Sequence, residues 1–68
     1  MTLQDAIKKL AADNSRFTVN VKGDGTIFIN RSGNFAKISP DGKYTQPKGA
    51  SWRADVQKYA DLAGVTLF

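Results

Sequence analysis

The side chains in this 68-residue chain whose types and spacing suit chemistry are two phenylalanines with cations and amides set around them. They lie within residues 17–46, FTVNVKGDGTIFINRSGNFAKISPDGKYTQ. If that segment is a run of hairpins, Asn20, Lys22, Phe28, Asn30, Phe35, Lys37 and Lys43 share one face, because successive strand residues alternate sides. Aromatic rings flanked by lysine and amide side chains can stack on bases while the cations meet phosphate. A basic ribbon can also enter a major groove, with Asn20, Lys22, Asn30 and Arg31 reaching base edges. Two exposed phenylalanines would equally suit a protein partner. Should a helix cover that side too, both rings become core or dimer-interface residues instead.

Catalysis finds little to work with. The chain has no His and no Cys, so the commonest acid–base group and the best thiol nucleophile are absent. Asp24 and Asp41 sit where turns are expected, and Asp5 and Asp13 fall at the two ends of a helix. No pair of carboxylates is placed by spacing on a shared face, as glycoside hydrolysis would need. Gly23-Asp24-Gly25 lacks both the Lys-Ser/Thr of a phosphate loop and an EF-hand spacing. Without His or Cys a metal site is not expected either, and no sequence feature calls for a cofactor.

The elements that must position the Phe/Lys face follow from three turn signals: Gly23-Asp24-Gly25, Ser32-Gly33 and Pro40-Asp41-Gly42. Between them lie short β-branched and aromatic runs. A three-residue loop at 23–25 sets Val21 opposite Ile27 and Val19 opposite Ile29. A two-residue loop at 32–33 sets Ile29 opposite Ala36 and Ile27 opposite Ile38. A three-residue loop at 40–42 sets Ile38 opposite Tyr44. A slip of one residue in any register would mix apolar and polar faces, so the three agree on one meander. Its apolar face collects Phe17, Val19, Val21, Ile27, Ile29, Ala36, Ile38 and Tyr44. The other face collects Thr18, Asn20, Lys22, Thr26, Phe28, Asn30, Phe35, Lys37, Lys43 and Thr45, with no acid. The last strand is short and ends at Pro47.

A helix is expected on either side of the meander. Thr2 can cap the first, with Asp5 in the capping-box position, and Leu3, Ala6, Ile7, Leu10 and Ala11 form one apolar stripe. Asn14-Ser15 ends it. After a loop at Lys48-Gly49-Ala50, Ser51 is the expected N-cap of the second helix. Trp52, Val56, Tyr59, Ala60 and Ala63 make its stripe, and Gly64 closes it. Residues 65–68 add a short edge strand or pack back on the core. Lys48, Arg53 and Lys58 could mark a phosphate site at the helix N-terminus, but Asp55 and Asp61 interleave and favour a solvated face.

Length and composition set the outer bounds. A chain this short forms one domain near the lower limit for folding without staples. The absence of Cys removes disulfides and points to a reducing compartment. Ten Lys+Arg against six Asp+Glu give a net charge of +4, which favours anionic partners. No apolar run is long enough to cross a membrane. The opening MTLQDAIKKLAADNS carries acids and no apolar core, unlike a signal or transit peptide. A cytoplasmic location is expected, and the sequon Asn30-Arg31-Ser32 is then incidental.

Three family resemblances accompany this reading. In size and element order the chain is similar to double-stranded-RNA-binding domains, although Ser51-Trp52-Arg53-Ala54 stands where their basic helix start would be. It is similar in layout to small mRNA-cleaving toxins, but no residue corresponds to their catalytic His. Residues 25–62, with Ile27-Phe28-Ile29-Asn30-Arg31 followed by Gly33-Asn34-Phe35-Ala36-Lys37-Ile38, resemble the arm-type DNA-binding domains of phage integrases. That resemblance implies a sheet face lying in the major groove. Short, Cys-free, compact chains of this kind also resemble phage accessory proteins.

The sequence therefore predicts an α+β domain ordered α-β-β-β-β-α, with both helices on the Val19/Ile29/Ile38 face. It predicts non-catalytic binding through the opposite face, with nucleic acid, DNA or RNA, as the first-ranked partner. The second-ranked reading is a small regulator or inhibitor, of phage type, that docks on a host protein through the same Phe/Lys face.

Overall fold

A computed structural model describes residues 1–48 and 51–68; Gly49 and Ala50, in the loop expected before the second helix, lie outside the described residues. The chain runs α1 (Leu3–Asp13), β1 (Thr18–Val21), β2 (Ile27–Arg31), β3 (Asn34–Ile38), β4 (Tyr44–Thr45) and α2 (Arg53–Ala60), followed by a 3₁₀ turn at Asp61–Ala63. The four strands form one antiparallel sheet in sequence order. This is the expected α+β meander, with both helices against one face.

Each turn is built by residues that tolerate its backbone. Ser32 and Gly33 both take positive φ, 53° and 82°, as a two-residue hairpin that matches the strand twist requires. Gly25 and Gly42 occupy the left-handed position that ends each three-residue loop, at φ 95° and 100°. The resulting registers pair Val21 with Ile27, Val19 with Ile29, Ile29 with Ala36, Ile27 with Ile38 and Ile38 with Tyr44. Every expected cross-strand partner is found.

One core follows from these registers. Ile27, Ile29, Ala36, Ile38 and Tyr44 from the sheet are buried together with Leu3, Ile7 and Leu10 of α1 and Val56 and Ala60 of α2. Phe17 and Trp52 close one end in an edge-to-face contact, with ring centroids 5.4 Å apart. Arg53 lies 5.2 Å from the Tyr44 ring centroid, a cation over an aromatic face. Val19 and Val21 reach only half burial, because β1 is an edge strand with no further strand beyond it among the described residues.

Helix ends are where the outcome departs from expectation. Thr2 caps α1 as expected, its Oγ1 accepting from the Asp5 amide at 3.1 Å. At α2, Ser51 does not cap: the N-cap position belongs to Trp52, which makes no side-chain cap bond. Trp52 is 5 % exposed, and burying its indole against Phe17 fixes where the helix starts. The α-helix also ends earlier than its stripe suggests and tightens into the 3₁₀ turn. Gly64 then takes φ 71°, with Gly64 N bonded to Asp61 O and Val65 N to Ala60 O, the paired bonds of a Schellman stop.

The segment after Gly64 packs back on the core and also bonds to the sheet. Leu67 is buried, the Tyr44 amide donates to Phe68 O at 2.7 Å, and the Phe68 amide donates to Gly42 O at 3.2 Å. Gln57 fastens this segment to α2. Its Nε2 donates to Val65 O at 3.0 Å and its Oε1 accepts from the Leu67 amide at 2.9 Å. The outer edge of β4 is thereby covered.

Candidate nucleic-acid interface

Because the buried strand residues all fall on the face of Ile27 and Ile29, the opposite face is left without a helix over it among the described residues. Phe35 is 60 % exposed and Phe28 is half-buried. The ladder sets Asn20 beside Phe28 and Phe28 beside Lys37, giving one row across the strands. A second row sets Thr18 beside Asn30 and Asn30 beside Phe35. The two rings are thus diagonal neighbours, a relation that spaces residues by about 7–8 Å.

The Phe28 ring separates two shallow depressions. One, of about 370 Å³, is walled by Phe28 and Phe35 and floored by Thr18, Asn20 and Asn30. The other, of about 420 Å³, lies toward the β1–β2 turn and includes Asp24, Thr26 and Lys37. Lys22 borders both, and its Nζ sits 5.5 Å from the Phe28 ring centroid. The ammonium therefore partly covers the ring through a cation–π contact. Its four-carbon stem is flexible, and the charge can swing away when something flat takes its place. The Asn30 Oδ1 is buried without a hydrogen-bond partner among the described residues. The first depression thus offers two aromatic walls and an amide floor, and the second offers cations.

Three of the residues singled out in the sequence, Arg31, Lys43 and Thr26, stand apart from the rings at the middle of this face. Arg31 is not on it: by alternation it sides with Ile29, and its guanidinium stacks 5.0 Å from the centroid of the buried Phe17 ring. Lys43 falls on the open side next to the β3–β4 turn, opposite Ser39, but borders neither depression. Thr26 alternates onto this side yet is 7 % exposed. Its main chain is held by Asp24 Oδ1 and by the Lys22 amide, at 2.9 and 2.8 Å. The face also has an acid at its rim, since Asp24 borders the second depression. The bond from the Thr26 amide holds the Asp24 carboxyl below its ordinary pKa, and the positive charge of Lys37 adds to that.

Asp24 is one of three aspartates so affected. The Tyr59 hydroxyl, donating at 2.8 Å, lowers the pKa of Asp13, and the Ser39 hydroxyl lowers that of Asp41. A carboxyl depressed in the folded state contributes stability that is present above its unfolded pKa, about 3.9 for Asp. That contribution is lost as pH falls through the folded value. Thermal midpoints are therefore expected to hold steady near neutrality and to drop below about pH 4. Asp24→Asn keeps an acceptor for the Thr26 amide while removing the titration, so its acid limb should be shallower than wild type. An unchanged acid limb in melts across pH would show that Asp24 does not contribute.

The cations around α2 do not assemble into a comparable surface. Arg53 is turned toward Tyr44 and the Leu67 carbonyl, while Lys58 is exposed on α2 and lies with Asp55 beside Asp13 and Tyr59. Among the described residues no group of three His, Cys, Asp or Glu is placed to hold a metal ion. Among the described residues no helix is long and apolar enough to cross a membrane. No family model matches the chain, and no curated protein or solved structure matches it significantly.

Proposed function

We propose that the chain is a non-catalytic module that binds nucleic acid on the open face of its sheet. Unpaired bases stack on Phe28 and Phe35 while Lys22, Lys37 and Lys43 meet the phosphates. The observation that carries this reading is an aromatic pair that no helix covers, set between cations on a sheet whose other face holds the core. Base stacking on such rings is tolerant of sequence, and the Lys charges supply affinity that depends on salt. Asn20 is exposed and offers its amide to base edges beside the rings, with Asn30 next to it on the same face. Arg31, stacked on Phe17, contributes positive charge at the end of the core layer rather than a contact among the rings. A cysteine-free chain suits the reducing cytoplasm, where we place this activity.

The test is a binding titration against random single-stranded and duplex oligonucleotides at two or more salt concentrations. Lys37→Ala should weaken binding to all sequences alike. It should flatten the dependence of log K on log salt by about 0.7 on single strands, the release associated with one phosphate. If neither wild type nor variant binds any oligonucleotide at low salt, the face serves a protein partner instead and the nucleic-acid reading falls.

A further inference from the structure

The two edges of the sheet are treated differently. Beyond β4, the main chain of Phe68 bonds to Gly42 and Tyr44. Beyond β1 there is no such cover among the described residues. The Lys22 amide donates to Thr26 O, so Thr18, Asn20 and Lys22 turn their main-chain groups inward to β2, and the alternate residues Val19 and Val21 turn theirs outward. Among the described residues no turn, loop or side-chain hydrogen bond reaches those outward groups. Proteins usually blunt such an edge with proline, a bulge, charge or a covering segment. The strand Thr-Val-Asn-Val has none of these, and Lys22 stands only at its end.

We propose that the β1 edge pairs antiparallel with the β1 edge of a second copy, about a two-fold axis at Asn20. The strand is self-complementary about that residue. Val19 then lies opposite the partner's Val21, and these are the residues with outward N–H and C=O groups, so each pair closes reciprocal N–H···O bonds. The same pairs bring half-buried valines together on the helix side, extending the core across the axis. Thr18 lies opposite the partner's Lys22, and the two Lys22 Cα atoms stand about 14 Å apart along the strands. That exceeds the screening length of about 8 Å at physiological salt. A symmetric pairing of this kind closes on itself and makes a dimer rather than a fibre. It joins the two open faces into one surface with the Asn20 side chains at its centre. It does not depend on what that surface binds.

The register makes the test specific, and it is run on the full chain without nucleic acid. Sedimentation of wild type from micromolar to millimolar concentration should show a monomer–dimer equilibrium, with the Val19 and Val21 amides gaining exchange protection as concentration rises. Thr18→Glu places a carboxylate opposite the partner's Lys22 twice per dimer and should tighten the dimer roughly two- to thirty-fold. Thr18→Lys should weaken it by a similar factor. Val21→Pro removes an outward N–H that the monomer does not use and should abolish pairing; exchange protection of β2 and β3 reports whether that variant folds. A wild type that stays monomeric at millimolar concentration overturns the proposal. A dimer indifferent to both Thr18 substitutions also overturns it, because another surface would then be responsible.

Discussion

Replacing Ile29 with alanine is expected to destabilise the domain by about 2–5 kcal/mol, the range for truncating a fully buried isoleucine. Ile29 has no exposed surface and lies between Val19 and Ala36 across the ladder, so the sheet has no easy way to collapse into the space. A chain of this length has a total stability of about 3–10 kcal/mol. The variant should therefore melt far below wild type or be partly unfolded at room temperature. Phe35→Ala is the matched control, since that larger side chain already stands mostly in water. It should leave the melting curve nearly in place. Equal losses for the two variants would mean that the sheet faces are inverted.

The same contrast reverses for binding. Phe35→Ala and Phe28→Ala should each weaken single-strand binding by about 1–3 kcal/mol, the range for losing a stacking platform. The dependence on salt should stay as in wild type, because no phosphate contact is removed. Phe28→Ala should also cost some stability, as its ring is half-buried, though less than Ile29→Ala. Lys22 adds a distinguishing feature. Its ammonium partly covers the Phe28 ring in the free protein, so a base that stacks there displaces it, and the displaced charge becomes available to a phosphate. Isothermal titration of the variants against a short homopolymer at fixed salt would read these losses directly. Aromatic variants that lost no affinity would leave stacking without support.

The sheet was legible in the sequence because its constraints overlap. Three glycine-bearing turns and a strict alternation had to agree on register, and only one assignment kept Ile27, Ile29, Ala36 and Ile38 together. The rims of the candidate face were less legible. Arg31 was grouped with the amides by chemistry, although its parity with Ile27 and Ile29 already placed it on the core side, where Phe17 provides a ring to cover. The acid at the rim was missed because Asp24 was read only as a turn residue, and the turn itself carries it against the second depression. The start of α2 followed the largest apolar side chain, not the best cap: Trp52 must reach Phe17 and takes the N-cap position, one residue after Ser51. The role of Gln57 left no trace in the pattern. Its partners at Val65 and Leu67 are main-chain atoms of a segment brought back by a turn, and polar spacing carries no information about them.

The most direct test of the open-face account is a map of which nuclei respond when a short single-stranded oligonucleotide is added to isotope-labelled protein at low salt. Shifts should concentrate on the side-chain amides of Asn20 and Asn30, the rings of Phe28 and Phe35, and the Lys22 and Lys37 side chains. The residues of α1 and α2 should stay where they are. Shifts centred instead on Arg53 and Lys58, or no shifts at any oligonucleotide concentration, would contradict it.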